Sequence, residues 1–313
     1  MTWLEYQNRQ KIAELADGFM SYAEGGREHN ETLIFLHGIP TWGYMWKDYL
    51  HVFSRTRRVI VPDLMGYGFS DKRDVFDRSL ARQASYLVEL MDQLQVKSAT
   101  FIAHDLGGGL ALRLATEYAS RVDRLVLVNT VSYDSWPIEL MLQLGHPRVE
   151  RALPTAAVRQ LLKWAMRQGF TSRPSGELLD DILRPYSTET GKLSLIRNAS
   201  ALNTNLTTEL TPKLPSMQAP TLLLWGVDDR FQPSYYARRL QDDIPNCELV
   251  RIEGARHFVM LEQPQQMIRE ISRFLVQNPI DKSQKPAIGT DENLSKPKRK
   301  KKKDTLSPGE LHA

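Results

Sequence analysis

The sequence predicts an α/β protein in which helices flank a mostly parallel central sheet. Two observations predict this class: strands alternate with amphipathic helices along the chain, and each strand is short and apolar on both faces. Strands with two apolar faces are typical of parallel sheets that are covered by helices. The 313 residues are 42% hydrophobic, which is enough for a sizeable core and excludes wholesale disorder.

The alternation can be followed element by element. Continuous apolar runs bounded by turn residues predict strands at 32–36, 58–61, 99–103, 125–128, 221–225 and 249–252. Apolar side chains that recur on one face predict helices at 80–94, 110–118, 235–240 and 265–275. Residues 1–30 are mixed and polar, with a turn signal at Gly25-Gly26, and no element is predicted for them.

One interval breaks the alternation and predicts a second structural region. About 90 residues separate the strand at 125–128 from the strand at 221–225, whereas a parallel crossover needs only about a dozen. Amphipathic segments at 158–166 and 178–183 predict helices inside this interval. We therefore expect a core made of 1–130 and 215–278, and a helical cap insertion at 131–214 over one end of the sheet.

The charge of the chain is concentrated at its C-terminal end. The net charge of +4 equals that of residues 281–313, which hold nine basic and five acidic residues, so residues 1–280 are formally neutral. Residues 279–313 lack periodic apolar residues and are expected to form a disordered tail. The basic run 296–303 could bind nucleic acid or an anionic surface, but a neutral body and a tail without aromatic residues favour a solvated tail.

Composition also limits cofactors and compartment. The chain has one cysteine, Cys247, so it can hold neither an intramolecular disulfide nor a cysteine-rich zinc site. We expect no metal and no cofactor, with a small-molecule substrate and water as the only partners of the body. No apolar stretch approaches the ~20 residues that cross a bilayer, and no secretory signal is visible. We expect a cytoplasmic protein that is not integral to a membrane.

The sharpest local motif is FIAHDLGGG at 101–109, in which a strand runs directly into a helix through Asp105. This layout is that of the nucleophile elbow, G-x-S-x-G, with Ala103 and Gly107 at the small flanking positions. Small residues are needed there because the tight turn leaves no room beside the nucleophile. The amides that open the helix form an anion cradle. The alternative is that Asp105 only caps the helix.

Two further residues follow strand ends in a suggestive order. Asp229 lies in an acidic loop after the strand at 221–225, and His257 follows the strand at 249–252. The order nucleophile, acid, histidine is that of the α/β-hydrolases. Each residue alone has an ordinary explanation, as a turn residue or as a core or surface histidine. Asp228 and Asp134 are the alternatives for the acid.

At this point the chain resembles the α/β-hydrolases, and in particular the epoxide hydrolase and haloalkane dehalogenase branch with an aspartate nucleophile. The matching segments are HGIPTW, DLMGYGFSD, HDLGG, WGVDD and GARHF, and the resemblance covers about 20–278. It implies the α/β-hydrolase fold with a helical cap, and a triad of Asp105, Asp229 and His257. It also implies an oxyanion hole formed by the backbone amides of Ile39 and Leu106.

An aspartate nucleophile points to a particular chemistry. A carboxylate with a pKa near ~3.9 is ionised at neutral pH and can attack a saturated carbon directly. The product is an alkyl ester, which His257 would hydrolyse by activating water. In the family that the chain resembles, side-chain N–H donors stabilise a departing halide. Ile39 and Leu106 offer no such side-chain donor, so the resemblance favours a small apolar epoxide as the substrate. Haloalkanes, esters and lactones stay open as alternatives, as does a non-catalytic binding protein on the same fold.

Candidates for substrate binding come mainly from the cap and from the residues beside the elbow. We expect Trp42, His104, Trp136 and Tyr186 to contact the substrate, with Tyr186 protonating the departing epoxide oxygen by analogy with the family's cap tyrosines. Plain packing is the alternative for each aromatic residue. Further possibilities for assisting the leaving group are Tyr133, His146 and Trp164.

Overall fold

The structure is a computed structural model that describes residues 1–280. The predicted tail from residue 281 onwards, with the basic run 296–303, lies outside the described residues. Within residues 1–280, no helix is both long and apolar enough to cross a membrane.

The strands form one sheet with the order β1-β2-β4-β3-β5-β6-β7-β8. Their bounds are β1 Lys11–Leu15, β2 Gly18–Gly25, β3 Thr32–Leu36, β4 Arg58–Pro62, β5 Ala99–His104, β6 Val122–Val128, β7 Thr221–Gly226 and β8 Cys247–Ile252. The pairs β1/β2 and β2/β4 are antiparallel, and the remaining pairs are parallel. The predicted fold class, a mostly parallel sheet flanked by helices, is confirmed.

The first two strands, β1 and β2, were not expected from the polar composition of residues 1–30. β1 is an edge strand in which only Ala13 and Leu15 are buried, so it carries no continuous apolar run. An antiparallel edge strand can leave one face in water, and its apolar pattern is therefore weaker than that of a strand buried on both faces.

Helices cover the sheet, and their bounds extend most predicted segments by a few residues. They are α1 Trp3–Gln7, α2 Lys47–Phe53, α3 Leu80–Gln93, α4 Leu106–Glu117, α5 Glu139–Leu144, α6 Pro147–Ala152, α7 Thr155–Arg167, α8 Gly176–Ile182, α9 Glu189–Ser200, α10 Asn205–Thr208, α11 Ser234–Asp243, α12 Val259–Glu262 and α13 Pro264–Gln277. Short 3-10 turns lie at Gly43–Trp46, Ala119–Arg121, Arg184–Tyr186 and Thr211–Ser216.

The interval between β6 and β7 is helical. Helices α5 to α10 lie within it, where the sequence predicts the cap insertion at 131–214. The segments predicted from amphipathic spacing correspond to α7 and α8. The cap boundaries themselves stay a prediction, because residues 1–280 form one compact unit.

The sheet brings the ends of its parallel strands to one edge. His104 at the end of β5 is in register with Val128 at the end of β6, and Val128 with Leu224 of β7. Gly226 at the end of β7 is in register with Ile252 at the end of β8. Residues that follow these strands therefore meet at the carboxyl edge, which is the usual position of ligand sites in open α/β sheets.

Candidate active site

Asp105 occupies a strained turn between β5 and α4. Its backbone has φ 52° and ψ −119°, a region that residues other than glycine rarely adopt. The neighbouring glycines make this turn possible, because a Cβ on Gly38 would lie 2.3 Å from Oδ1 of Asp105 and one on Gly107 would lie 2.7 Å from the His37 carbonyl oxygen. Helix α4 begins at Leu106 rather than at the predicted residue 110, so the glycines that follow the elbow belong to the helix.

Asp105, His257 and Asp229 come together at this edge of the sheet. Nδ1 of His257 donates to Oδ2 of Asp229 over 2.9 Å, while Nε2 on the other side of the ring lies 3.7 Å from Oδ2 of Asp105. All three residues are buried. The imidazole is therefore held by one carboxylate and faces the other, which is the arrangement of a nucleophile, a base and an orienting acid.

Two backbone amides face the Asp105 carboxylate. The Ile39 N–H donates to Oδ1 over 3.0 Å, and the Leu106 N–H acts to lower the pKa of the same carboxyl. Donors in this position stabilise negative charge on an oxygen of the group, whether carboxylate or tetrahedral oxyanion. The oxyanion hole that the resemblance implies for these two amides stays a prediction.

Asn129, which the sequence analysis did not single out, supports Asp229. Nδ2 of Asn129 donates to Oδ2 of Asp229 over 2.5 Å, and the Phe231 N–H donates to Oδ1 over 2.7 Å. Oδ1 of Asn129 accepts from the Gly226 N–H over 3.1 Å. Together with His257, three donors thus hold the Asp229 carboxylate. One sequence feature could have indicated Asn129. It is a polar residue directly after the apolar strand β6, whose end lies at the same edge of the sheet as Asp105.

Burial and charge shift the pKa values of the two reacting side chains. Burial raises the pKa of Asp105 above its ordinary value, although the charge of His257 and the amides of Leu106 and Ile39 oppose the shift. Burial lowers the pKa of His257, but the attraction and hydrogen bond of Asp229, together with the charge of Asp105, outweigh burial and raise it overall. His257 therefore favours its charged form, whereas burial makes the charged form of Asp105 less favourable than in water, and the charge of His257 offsets only part of that cost.

His104 lies beneath His257 rather than on the cavity wall. Nε2 of His104 donates to the backbone carbonyl oxygen of His257 over 3.0 Å, and the two rings are 4.5 Å apart. Burial drives the pKa of His104 well below its ordinary value. The expected substrate contact is thus replaced by a supporting contact to the candidate base, because the ring points into the protein from the last residue of β5.

An apolar cavity opens above Asp105. Its volume is about 50 Å³. Its wall includes Ile39, Leu106 and Trp136 from the predicted site, and further core and cap side chains such as Val131, Met141, Leu162, Met166, Leu202, Phe231 and Phe258. Asp105, His257 and Gln232 contribute its polar side chains. Gln232 was also missed, since it is the third residue of an ordinary loop after Asp229.

Trp42 and Tyr186, in contrast to the prediction, are not among the residues that line this cavity. Trp42 is buried against Tyr6 and Tyr44, and its Nε1 donates to the Asp181 carbonyl oxygen over 3.3 Å. Tyr186 is fully buried in a 3-10 turn, and its hydroxyl has no hydrogen-bond partner among the described residues. Both side chains serve packing, which their aromatic type alone did not reveal.

The other leaving-group candidates are also committed elsewhere. The Trp136 ring lines the cavity, but its Nε1 donates to Oγ1 of Thr207 over 2.6 Å. The Tyr133 hydroxyl donates to Oδ2 of Asp243 over 2.6 Å, and Trp164 is 57% exposed. Nδ1 of His146 accepts from the Arg148 N–H in a cap of helix α6.

Within residues 1–280, His257 pairs with Asp105 and Asp229, and neither alternative acid forms an ion pair with it. Asp228 is exposed, whereas Asp229 is buried. Asp134 accepts from the Tyr236 hydroxyl over 3.3 Å. Among residues 1–280, no three His, Cys, Asp or Glu side chains are grouped so that they could hold a metal ion.

Comparison with known proteins assigns this chain to a family. The family described as alpha/beta hydrolase fold matches residues 31–264. The chain belongs to this family. It is an enzyme of the hydrolase class, with relatives that include dehalogenases and epoxide hydrolases.

Three relatives are similar to most of the chain. A cis-3-alkyl-4-alkyloxetan-2-one decarboxylase of Xanthomonas campestris is 26% identical over 301 residues, covering 90% of this chain and 100% of that protein. Haloalkane dehalogenase 2 of Mycobacterium tuberculosis is 25% identical over 248 residues, covering 76% and 86%. Epoxide hydrolase 2 of Caenorhabditis elegans is 26% identical over 292 residues, covering 85% and 79%.

A solved structure extends the likeness to three dimensions. An alpha/beta hydrolase fold protein from Burkholderia ambifaria has a TM-score of 0.79 and 25% identity, and the match covers 83% of this chain and 96% of that chain.

Proposed function

We propose that this hydrolase opens a small apolar oxygen electrophile, in the first place an epoxide, through an ester on Asp105. The observation that carries the proposal is the position of the Asp105 carboxylate. It lies in an elbow turn, accepts from the Ile39 amide, directly precedes the Leu106 amide, and faces Nε2 of His257 across 3.7 Å. This is the geometry in which a carboxylate can attack carbon and its ester can then be hydrolysed.

In the first step, an oxygen of Asp105 attacks a ring carbon of the epoxide. A C–O bond to Asp105 forms and the ring C–O bond breaks. The departing oxygen keeps the electron pair and takes a proton from water, and the hydroxide ion left behind is neutralised by the proton that the Asp105 acid releases at the end of the cycle. The attacking group needs no general base, because it is a carboxylate and not a hydroxyl. The apolar wall of the cavity suits the hydrocarbon part of such a substrate.

In the second step, Nε2 of His257 takes a proton from water, and the resulting hydroxide adds to the carbonyl carbon of the Asp105 ester. The tetrahedral oxyanion accepts the Ile39 and Leu106 amides, and each such donor is worth about 2.7–4 kcal/mol in comparable sites. Asp229 stabilises the imidazolium on its Nδ1 side. Collapse of the intermediate breaks the ester, returns the proton from His257 to the departing oxygen, and releases a diol.

The nature of the cavity favours an oxygen leaving group over a halide. A halide ion is stabilised by N–H donors that point at it, and the Nε1 donor of Trp136 is engaged with Thr207. Ile39 and Leu106 bring apolar side chains to the wall. A four-membered lactone is the second candidate, because the relative that this chain matches over 90% of its length is named an oxetanone decarboxylase. Haloalkanes rank below both.

The variant His257→Gln tests the two-step mechanism. It removes the base but leaves the nucleophile, so an aliphatic epoxide should alkylate the protein without turnover. Intact-protein mass spectrometry should show one added epoxide mass, and peptide mapping should place it on Asp105. Asp105→Asn should show no adduct. The matched control is His51→Gln on helix α2, outside this site, which should turn over like the wild type.

The outcomes test the two-step mechanism and the choice of substrate separately. An active wild type whose His257→Gln variant turns over normally would contradict the mechanism. A panel of an epoxide, a cis-dialkyl oxetanone and a 1-bromoalkane of equal carbon number ranks the leaving groups. Halide release at the rate of epoxide opening or faster would reverse the proposed order.

A further inference from the structure

Gln232 is a polar side chain that the proposed mechanism does not use. It lies in the loop between β7 and α11, three residues after Asp229, and lines the cavity above Asp105. The residue is only 2% exposed, and its Oε1 has no hydrogen-bond partner. Its backbone carbonyl oxygen accepts from Nε1 of Trp225 over 2.9 Å.

An amide in this situation is unusual. Most buried side-chain polar atoms in proteins have a partner, and one without a partner lowers stability. The loop does not need the amide for its own conformation, because Trp225 binds the backbone carbonyl of Gln232 and Asp229 binds the Phe231 N–H. The unpaired side chain therefore needs another explanation, and its position on the cavity wall offers one.

Apart from the two reacting atoms, Nε2 of His257 and Oδ2 of Asp105, the other polar groups of the wall have partners. His257 is held by Asp229, the Asp105 carboxylate accepts the Ile39 N–H, and the Trp136 N–H donates to Thr207. Within the described lining residues, Gln232 thus carries the side-chain hydrogen-bonding group that neither a neighbour nor the proposed mechanism uses. A ligand pocket typically combines an apolar wall with a few such groups that fix orientation.

We propose that Gln232 is a substrate-binding residue whose Nε2 donates to an oxygen atom of the substrate. This inference rests on the proposed function and narrows it to substrates with an accepting oxygen, such as an epoxide or an oxetanone. The unpaired atom in the structure is the acceptor Oε1, and a half-turn about the last side-chain bond exchanges it with Nε2, which brings the donor to the unpaired position. A haloalkane offers no comparable acceptor and gains nothing from this residue.

The test compares Gln232→Leu with the wild type. Leucine has a similar size and keeps the backbone carbonyl that binds Trp225. For an aliphatic epoxide, kcat/KM should fall about threefold to tenfold, as expected for the loss of one neutral hydrogen bond. Because the variant also removes an unpaired buried amide, its Tm should be equal to or higher than that of the wild type. A residue with a purely structural role would show the opposite change in Tm.

A binding measurement tests the role of Gln232 without requiring turnover. Ligand-observed NMR can compare a medium-chain ketone, which carries an accepting oxygen, with the alkane of equal carbon number. Gln232→Leu should weaken the ketone about threefold to tenfold and leave the alkane within about twofold. The control Met141→Leu, an apolar change on the same wall, should affect both ligands alike.

The results distinguish the two proposals. Unchanged ketone affinity in Gln232→Leu, or equal weakening of ketone and alkane with a lowered Tm, would overturn the role of Gln232. Gln232→Met, which is unbranched, replaces Gln232→Leu if that variant does not fold. Absence of an adduct in His257→Gln together with selective ketone weakening would overturn the ester mechanism and leave Gln232 as a ligand contact.

Discussion

Replacement of Asn129 by glycine tests how strongly the end of β6 holds the candidate acid. Asn129 is fully buried, donates to Asp229 over 2.5 Å and accepts from the Gly226 N–H over 3.1 Å. Its backbone has a φ of 41°, which glycine adopts without strain. Asn129→Gly therefore removes two side-chain hydrogen bonds and leaves the backbone conformation accessible.

The magnitude follows from the two bonds. A hydrogen bond to a charged group contributes about 1.5–3 kcal/mol to stability, and one between neutral groups about 0.5–1.5 kcal/mol. The free energy of unfolding should therefore fall by about 2–4 kcal/mol in Asn129→Gly. Asn129→Ala should lose about a further 1 kcal/mol, because a residue with a Cβ is strained at this φ.

Urea denaturation of the two variants and the wild type at pH 7.5 measures both differences. The matched functional readout is the pH dependence of kcat for an epoxide. With one donor fewer, the charge of Asp229 is less compensated and attracts the His257 proton more strongly. The acid limb of kcat should then move to higher pH. A loss of stability below about 1 kcal/mol in Asn129→Gly, or an acid limb that does not move, would refute this account of Asn129.

Three further predictions concern Tyr186, His257 and the elbow. Tyr186→Phe should leave kcat within about threefold, far below the ~10²–10⁴-fold of a general acid, and should not lower the Tm, because it removes an unpaired buried hydroxyl. Since the pKa of His257 is raised and its neutral form is the base, kcat should fall as the pH drops through a value above 6.5. Gly108→Ala should lower the free energy of unfolding, measured by chemical denaturation, by about 1–3 kcal/mol, because its Cβ would lie 2.1 Å from Oγ1 of Thr130. The control Gly176→Ala, with open space around the added Cβ, should not destabilise the protein.

The sequence was most informative where local chemistry and chain position coincide. Asp105 and Asp229 follow the buried strands β5 and β7, and His257 follows the edge strand β8. Because the ends of parallel strands meet at one edge, the proximity of the three residues was predictable without side-chain detail. The elbow was also readable, because Gly107 is required by a close backbone approach that a Cβ would block. The edge strand β1 was not readable, since only one of its faces is buried.

Substrate-binding residues were harder to predict, because the type of a residue says little about the direction in which its side chain points. Trp42, Trp136 and Tyr186 are all buried aromatics, yet only Trp136 lines the cavity. Whether an aromatic ring reaches the cavity depends on how the segment that carries it packs, and that is a long-range property. The indole N–H of Trp136 illustrates the same point, since its bond to Thr207 joins residues 71 positions apart.

The contrast between Gln232 and Tyr186 shows what the structure adds to motif reasoning. Both carry a buried polar atom without a partner, so both cost stability in the same way. Tyr186 lies away from the cavity lining, where no ligand in the cavity can satisfy its hydroxyl. Gln232 lines the cavity, where a substrate oxygen can accept from Nε2 of its amide. An unpaired polar group therefore indicates a ligand contact only when it borders space that a ligand can enter. By this criterion Gln232, and not Tyr186, is the residue that we propose to bind a substrate oxygen.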